Sequence, residues 1–212
     1  MKTIDYFKIP SLLLLLSLGG KAMEARDSSP EFIAPKKRTG TWLTITKVKK
    51  PWYAWRSLVS SRMEKSIPEY KAIPGLDEKF YSFLEGSNRF GGIYIWDKKA
   101  DAEAWFLPSW FARIEKQYGE RGVVDSYSIL STQEIEPIPS TGESLYAIIS
   151  YRRLDPAIDL ISKVGLLQFV ELKDSEQKPC HLTLWKNQES ALSYFQASEK
   201  DQMFFIPVFF RK

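Results

Sequence analysis

The stretch GGIYIWDKKADAEAWF, residues 91–106, reads as a strand that runs into a helix. β-branched and aromatic residues lead up to Trp96, and an alanine- and charge-rich run follows it. A second stretch, CHLTLWKNQESALSYF, residues 180–195, repeats that reading. Laid side by side without a gap, Trp96 meets Trp185, Ala102 meets Ala191, Trp105 meets Tyr194 and Phe106 meets Phe195. Upstream, Gly75-Leu76 precedes Trp96 at nearly the spacing by which Gly165-Leu166 precedes Trp185.

Working outward, TGTWLTITKV, residues 39–48, is β-branched and aromatic and reads as a strand. YAWRSLVSSRMEKSIPEY has helical spacing, with Trp55, Leu58, Val59 and Met63 on one face, and Pro68 and Pro74-Gly75 end it. KFYSFLEG and RFGGIYIW are two strands around a Ser87-Asn88 turn. KADAEAWFLPSWFARIEKQYG is a helix bent at Pro108, because proline has no backbone N–H to donate. GVVDSYSILS is the fourth strand. This β-α-β-β-α-β order is ferredoxin-like. After EIEPIPSTGES the order restarts: the strand SLYAIISYRRL, a short helix capped by Asp155 with Pro156 behind it, the hairpin LLQFVELKD/HLTLWKN, the helix QESALSYFQASEKDQMF, and the strand FIPVFFRK.

The expected fold is therefore α+β. Two tandem ferredoxin-like units, 39–135 and 144–212, form an intramolecular dimeric α+β barrel. A four-stranded sheet with both helices on one face leaves the other face bare, and several hundred Å² of exposed apolar area costs on the order of 10 kcal/mol. A second unit in the same chain covers it, so the chain is a monomer with pseudo-dimeric halves or a homodimer. On the strand 89–97, Gly92, Tyr94 and Trp96 share one face and Ile93 and Ile95 the other. The isoleucines suit packing against the helices, which turns the Tyr/Trp face toward the space between the sheets.

With 212 residues, 44% hydrophobic and 14% aromatic, the chain can build one or two cores. Its net charge of +4 lies largely in APKKR and KVKK, with no basic stripe wide enough for nucleic acid. One cysteine, Cys180, excludes an internal disulfide, and one histidine, His181, leaves no set of metal ligands or catalytic triads to choose from. No GxGxxG, GxxxxGK(S/T) or HExxH string occurs. Residues 1–25, with Lys2, Lys8 and the apolar run Leu12–Leu18 before Gly20 and Ala22, read as a secretory signal peptide. That run is too short to anchor in a bilayer, which takes about 20 residues. Residues 26–38 read as a linker, and the mature chain is expected to be exported, periplasmic or secreted.

The segment from Pro74-Gly75-Leu76 through Gly91-Gly92-Ile93-Tyr94-Ile95-Trp96 to Ala102, Ala104, Trp105 and Phe106 resembles the YdhR-type monooxygenases. These belong to the antibiotic-biosynthesis-monooxygenase-like (ABM) group of dimeric α+β barrels. The resemblance covers roughly residues 39–132 and returns at Trp185 to Phe195. It implies a cofactor-independent monooxygenase-like protein, without flavin or dedicated metal, acting on a hydrophobic, aromatic small molecule. In the haem-degrading branch a helix Trp faces the ligand and a His further along binds iron. Trp105 matches that Trp, but Ile114 or Glu115 falls where the His would be, so no haem ligand carries over.

Arg113, Tyr94 and Trp105 are the candidate catalytic residues. An Arg at a pocket rim stabilises an enolate or carboxylate, although it also snorkels to solvent. Tyr81, Gly92, Trp96, Phe106, Trp110, His181 and Trp185 are the candidate substrate-binding residues. Each has a plain packing reading beside the functional one: buried aromatics pack, and a lone histidine is commonly a hydrogen-bonded structural residue. Tyr127 is a further phenol donor, and Cys180 reads as structural. No general base is evident, which keeps open a non-catalytic ligand-binding or structural protein of the same fold.

Overall fold

The computed structural model describes residues 40–139, 143–153, 163–195 and 201–212. The signal peptide read over residues 1–25, the linker over 26–38 and the short helix read from Asp155 lie outside them.

The described chain runs β1 (Trp42–Lys49), α1 (Arg56–Lys65), α2 (Ile67–Lys71), β2 (Leu76–Leu84), β3 (Arg89–Trp96), α3 (Lys99–Trp105), α4 (Pro108–Tyr118), β4 (Val123–Glu134), β5 (Leu145–Ser150), β6 (Leu166–Asp174), β7 (Pro179–Trp185), α5 (Gln188–Tyr194) and β8 (Gln202–Arg211). It is an α+β fold built on one closed barrel in the order β1-β3-β2-β8-β5-β7-β6-β4. All eight strand pairs are antiparallel. Closure depends on two seams, β2 with β8 and β4 with β6, which leave no sheet edge unpaired.

Period-2 alternation sorts each strand into an inward and an outward row. Leu43 and Ile45 of β1, Ile93 and Ile95 of β3, Ala147 and Ile149 of β5, and Leu182 and Leu184 of β7 meet in one interior cluster. Thus the two apolar faces do meet, but they are the opposite faces from those expected. Ile93 and Ile95 fill the barrel, whereas Tyr94 and Trp96 point outward and pack with Val59 and Met63 of α1 and Ala102 of α3. The interior cluster is mainly aliphatic but also holds the rings of Phe80, Tyr127 and Phe204, whereas Tyr94 and both strand-end tryptophans, Trp96 and Trp185, lie in the layer between sheet and helices. Within the barrel wall, Glu78 of β2 pairs with Arg211 of β8 (Oε1 to Nε, 3.2 Å), which also reaches Glu134 of β4 at 3.6 Å, so one guanidinium ties both seams.

Local chemistry sets the helix ends. The expected single helix bent at Pro108 is two helices, with Pro108 opening α4 where its missing N–H costs nothing, and Gly119 closing it at φ +74°. Pro68 likewise opens α2 instead of ending α1. Of the face expected on α1, Val59 and Met63 are buried, but Trp55 is 78% exposed and Leu58 42%. Asn187 caps α5 by accepting from the Ser190 N–H at 2.9 Å. The helix expected from Gln188 to Phe204 ends at Tyr194 in the described residues, and Gln202–Phe204 belong to β8. No helix among the described residues is long and apolar enough to cross a membrane.

The Gly91-Gly92 pair marks a close approach of β3 to β1. A Cβ on Gly91 would stand 2.0 Å from the Thr46 carbonyl oxygen, which is backbone and cannot swing away. A Cβ on Gly92 meets nothing nearer than 3.2 Å. Gly91→Ala is therefore expected to cost about 2 kcal/mol or more and Gly92→Ala distinctly less, read from urea midpoints of the two variants.

Candidate functional site

Outside the barrel, a cavity of about 380 Å³ lies between β1–β3 and the helices α1, α2 and α4. Alternation puts Thr46 and Val48 of β1, Lys79 and Tyr81 of β2, and Tyr94 of β3 on its floor. Tyr70 of α2 and Trp110 and Ile114 of α4 cover it, and Arg62, Glu69 and Arg113 stand at its exposed rim.

The residue that organises this floor is Lys79. It is only 2% exposed and sits directly opposite Tyr94 in the β2–β3 register. Its Nζ lies 2.9 Å from the centroid of the Tyr70 ring, 3.9 Å from that of Tyr81 and 4.7 Å from that of Tyr94. Gly92, across from Tyr81, leaves room for the lysine stem, since a Cβ there would stand 3.2 Å from Lys79 Cε. Among the described residues no carboxylate reaches ion-pair distance of Lys79. Burial alone costs a lone ammonium several kcal/mol, and each ring face returns roughly 0.5–2 kcal/mol. Burial is the larger effect and holds the Lys79 pKa well below that of an ordinary lysine; Glu69 opposes it from the rim.

The three phenols stay protonated for the same reason. Burial raises the pKa of Tyr70, Tyr81 and Tyr94, most strongly for the last. Tyr81 shares a hydrogen bond with Ser66 Oγ at 2.8 Å, and the Tyr94 hydroxyl interacts with Thr46 and Tyr70. The cavity thus holds an amine and three neutral hydroxyls but no resident anion on its floor.

The other sequence candidates sit around this centre. Tyr81, Tyr94, Trp110 and Arg113 line the cavity. Trp96 stacks on Tyr94 with ring centroids 5.8 Å apart and donates from Nε1 to Thr44 Oγ1 at 2.9 Å. Phe106 wedges edge-on against Tyr94, Trp96 and Trp110. Trp105 backs Tyr70 at 5.8 Å, and its buried indole N–H has no hydrogen-bond partner among the described residues. Tyr127 joins the barrel-interior cluster, as does the buried Cys180.

His181 and Trp185 lie on the other half of the barrel. Their strand pairing runs parallel to that of the cavity: Leu76 opposes Trp96 as Leu166 opposes Trp185, with a register shift one step later in both. In that register Phe169 stands where Lys79 does, and His181 where Gly92 does. The His181 ring approaches Phe169 at 5.5 Å and bonds through Nε2 to the Tyr194 hydroxyl at 2.8 Å. On this half the rings of His181 and Phe169 stand at the positions that Gly92 and Lys79 hold on the first. Lys79 and Tyr70 were missed in the sequence. The signal for Lys79 was its place in the row Lys79-Tyr81-Phe83, a charge on a face that is otherwise aromatic.

A second hollow, about 520 Å³ and more open, lies near Asp125, Tyr127, Tyr151 and Asp174. Its carboxylates and its exposure suit it less to enclosing an apolar molecule. No three or more His, Cys, Asp or Glu side chains come together as a metal site among the described residues.

No family model matches the chain, and no curated protein matches it by sequence. Solved structures do share its fold. One, described as a "putative monooxygenase" from Fusobacterium nucleatum subsp. nucleatum, is 10% identical with a TM-score of 0.57 over 82% of this chain and 95% of that one. Another, described as an anthrone oxidase-like protein, is 11% identical with a TM-score of 0.50 over 81% of this chain and 93% of that one.

The second half yields a pH prediction. Burial first, and the nearby Arg152 next, lower the His181 pKa to about 4 from the usual 6.5. The fold therefore prefers neutral His181, and the unfolded chain binds the proton more readily between these values. Stability is complete above pH 6.5 and falls by up to about 3 kcal/mol as pH drops to 4. Urea midpoints of the parent and His181→Gln at pH 7 and pH 4.5 should show a smaller acid loss in the variant.

Proposed function

We propose that this chain is a monooxygenase-like protein of the YdhR type that encloses a flat, apolar, aromatic small molecule between the helices and the outer face of β1–β3. The observation that carries this reading is the cavity wall itself: Tyr70, Tyr81, Tyr94 and Trp110 supply ring faces and edges around a space of about 380 Å³. That volume lies at the small end of ligand pockets, which run from about 300 to 1,000 Å³. The fold shared with a protein described as anthrone oxidase-like supports choosing an activated aromatic ketone as the substrate type.

The chemistry is led by the substrate. A ligand with an acidic methylene beside aromatic rings gives a proton to the Lys79 amine in the cavity, and the amine returns it to the water formed at the end. Hydrogen-bond donors placed at its oxygen, with Tyr94 inside and Arg113 at the rim, stabilise the resulting enolate. The electron-rich anion transfers electrons to O₂ directly. One oxygen atom ends as a carbonyl on the former methylene and the other leaves as water with its two hydrogens, so no outside reductant is consumed. The protein contributes orientation and a surface from which bulk water is excluded.

The finer fold reading belongs to the same proposal: two ferredoxin-like units, 39–135 and 144–212, arose by internal duplication and one of them kept its cavity. Strand order supports it, because each half of the barrel runs fourth-first-third-second. The matched register shifts in β2–β3 and β6–β7 support it as well. The proposal retains export after removal of the leader at residues 1–25.

Purification from the native host followed by native mass spectrometry should find an aromatic compound bound. Oxygen uptake with anthrone as probe should saturate and fall at least about tenfold in Trp105→Ala, which loosens Tyr70. Binding of anthrone without oxygen uptake would instead make the protein a carrier, and no binding would overturn the reading.

A further inference from the structure

Lys79 poses a problem that packing does not explain. A lysine between two strands and a helix is expected to reach a carboxylate or solvent. This one ends under the face of Tyr70, against Tyr81 and Tyr94, with its amine bordering the cavity. In the matched register on the other half, the position is Phe169. A phenylalanine fills that kind of position without any buried amine, so the lysine is not required to complete the fold.

The charges around it stand at the rim, and none of the floor residues is an acid. Arg62 of α1 and Arg113 of α4 stand at the rim, with Glu69 of α2 as the acidic residue of the lining. The tyrosines facing the amine, Tyr70, Tyr81 and Tyr94, are all held as neutral phenols by burial, and Tyr118 on α4 is raised likewise. Two ring faces on the floor and that of Tyr70 above it are arranged to receive a cation, and the floor carries a basic nitrogen able to become one. It has no anion of its own. The cavity in front of it is where that anion can enter.

We propose that the cavity binds weakly acidic aromatic hydroxyl or enol compounds as their anions, with Lys79 accepting the proton and the rings of Tyr70, Tyr81 and Tyr94 holding the ammonium so formed. The ligand O–H bond breaks and an N–H bond forms on the Nζ lone pair. Two neutral partners become an ion pair, no net charge is buried, and no proton leaves for solvent. The cost of charging Lys79 is offset only when the ligand becomes an anion beside it, so the site selects ligands that can give up a proton. This inference rests on the aromatic-ligand reading above and names the class of ligand; it does not depend on oxygen chemistry.

The test uses 4-nitrophenol, whose phenolate is yellow and which has no methylene to oxidise. The full chain is mixed with it about one pH unit below the probe's own ionisation midpoint, where roughly nine-tenths of the free probe is colourless. The yellow band should rise and saturate with protein. Titration calorimetry in buffers of different ionisation enthalpy should show close to no proton released. Lys79→Met should bind without colour or fail to bind. Lys79→Arg, which keeps a cation but cannot take a proton, should give colour with nearly one proton released per molecule bound. If neither variant folds, the proton count of the parent protein decides alone. Colourless binding by the parent, release of a full proton, an unchanged yellow band in Lys79→Met, or no binding at all would each overturn the proposal. A positive result here with no oxygen uptake on anthrone would leave an anion-binding carrier, so the two readings fail separately.

Discussion

The filled interior of the barrel constrains everything else in this structure. Leu, Ile, Val and Ala side chains from both halves meet at its centre, and two seams, β2–β8 and β4–β6, close it without a free edge. Dense apolar packing of this kind fills the centre of the barrel with side chains. Phe80, Tyr127 and Phe204 share that interior, while Tyr81, Tyr94 and Trp96 lie on the outside of the strands, where helices cover them. In that outer layer, on the first half, Gly92 and a long, thin lysine stem leave room beneath the helices.

The same layer shows how one scaffold holds two different outer faces. Trp96 and Trp185 occupy matched positions, each fully buried, and anchor the strand to the helix that follows. Around those anchors the halves diverge. Lys79, Gly92 and Tyr94 make a polar floor under a cavity; Phe169, His181 and Thr183 make a close-packed patch, where a hydrogen bond to Tyr194 holds the imidazole. A buried amine without a partner carboxylate is a destabilising choice for packing alone. On the first half that amine borders the cavity under the helices.

Much of the fold was legible in the residues. The repeated strand–helix stretch, the hairpins and the interruption at Pro108 follow from alternation, turn residues and proline chemistry. The side of the sheet was not legible. Alternation states which residues share a face, and nothing local states whether that face turns inward; barrel closure, a pairing between distant strands, decides it. That is why Ile93 and Ile95 exchanged places with Tyr94 and Trp96 relative to expectation. The site was half legible. Tyr81, Tyr94, Trp110 and Arg113 line the cavity, but Lys79 looks like any surface charge in DEKFYSF until Tyr70, brought over it by a short helix that Pro68 opens, shows what covers it.

The protonation state of Lys79 in the empty protein is the most direct measure of this account. Lysines labelled with ¹³C at Cε, with the Lys79 signal assigned by its loss in Lys79→Arg, can be titrated by NMR in the full chain. The account predicts that Lys79 loses its proton well before the other lysines as pH rises. Titration of Lys79 together with the exposed lysines, near their usual value of about 10.4, would contradict it.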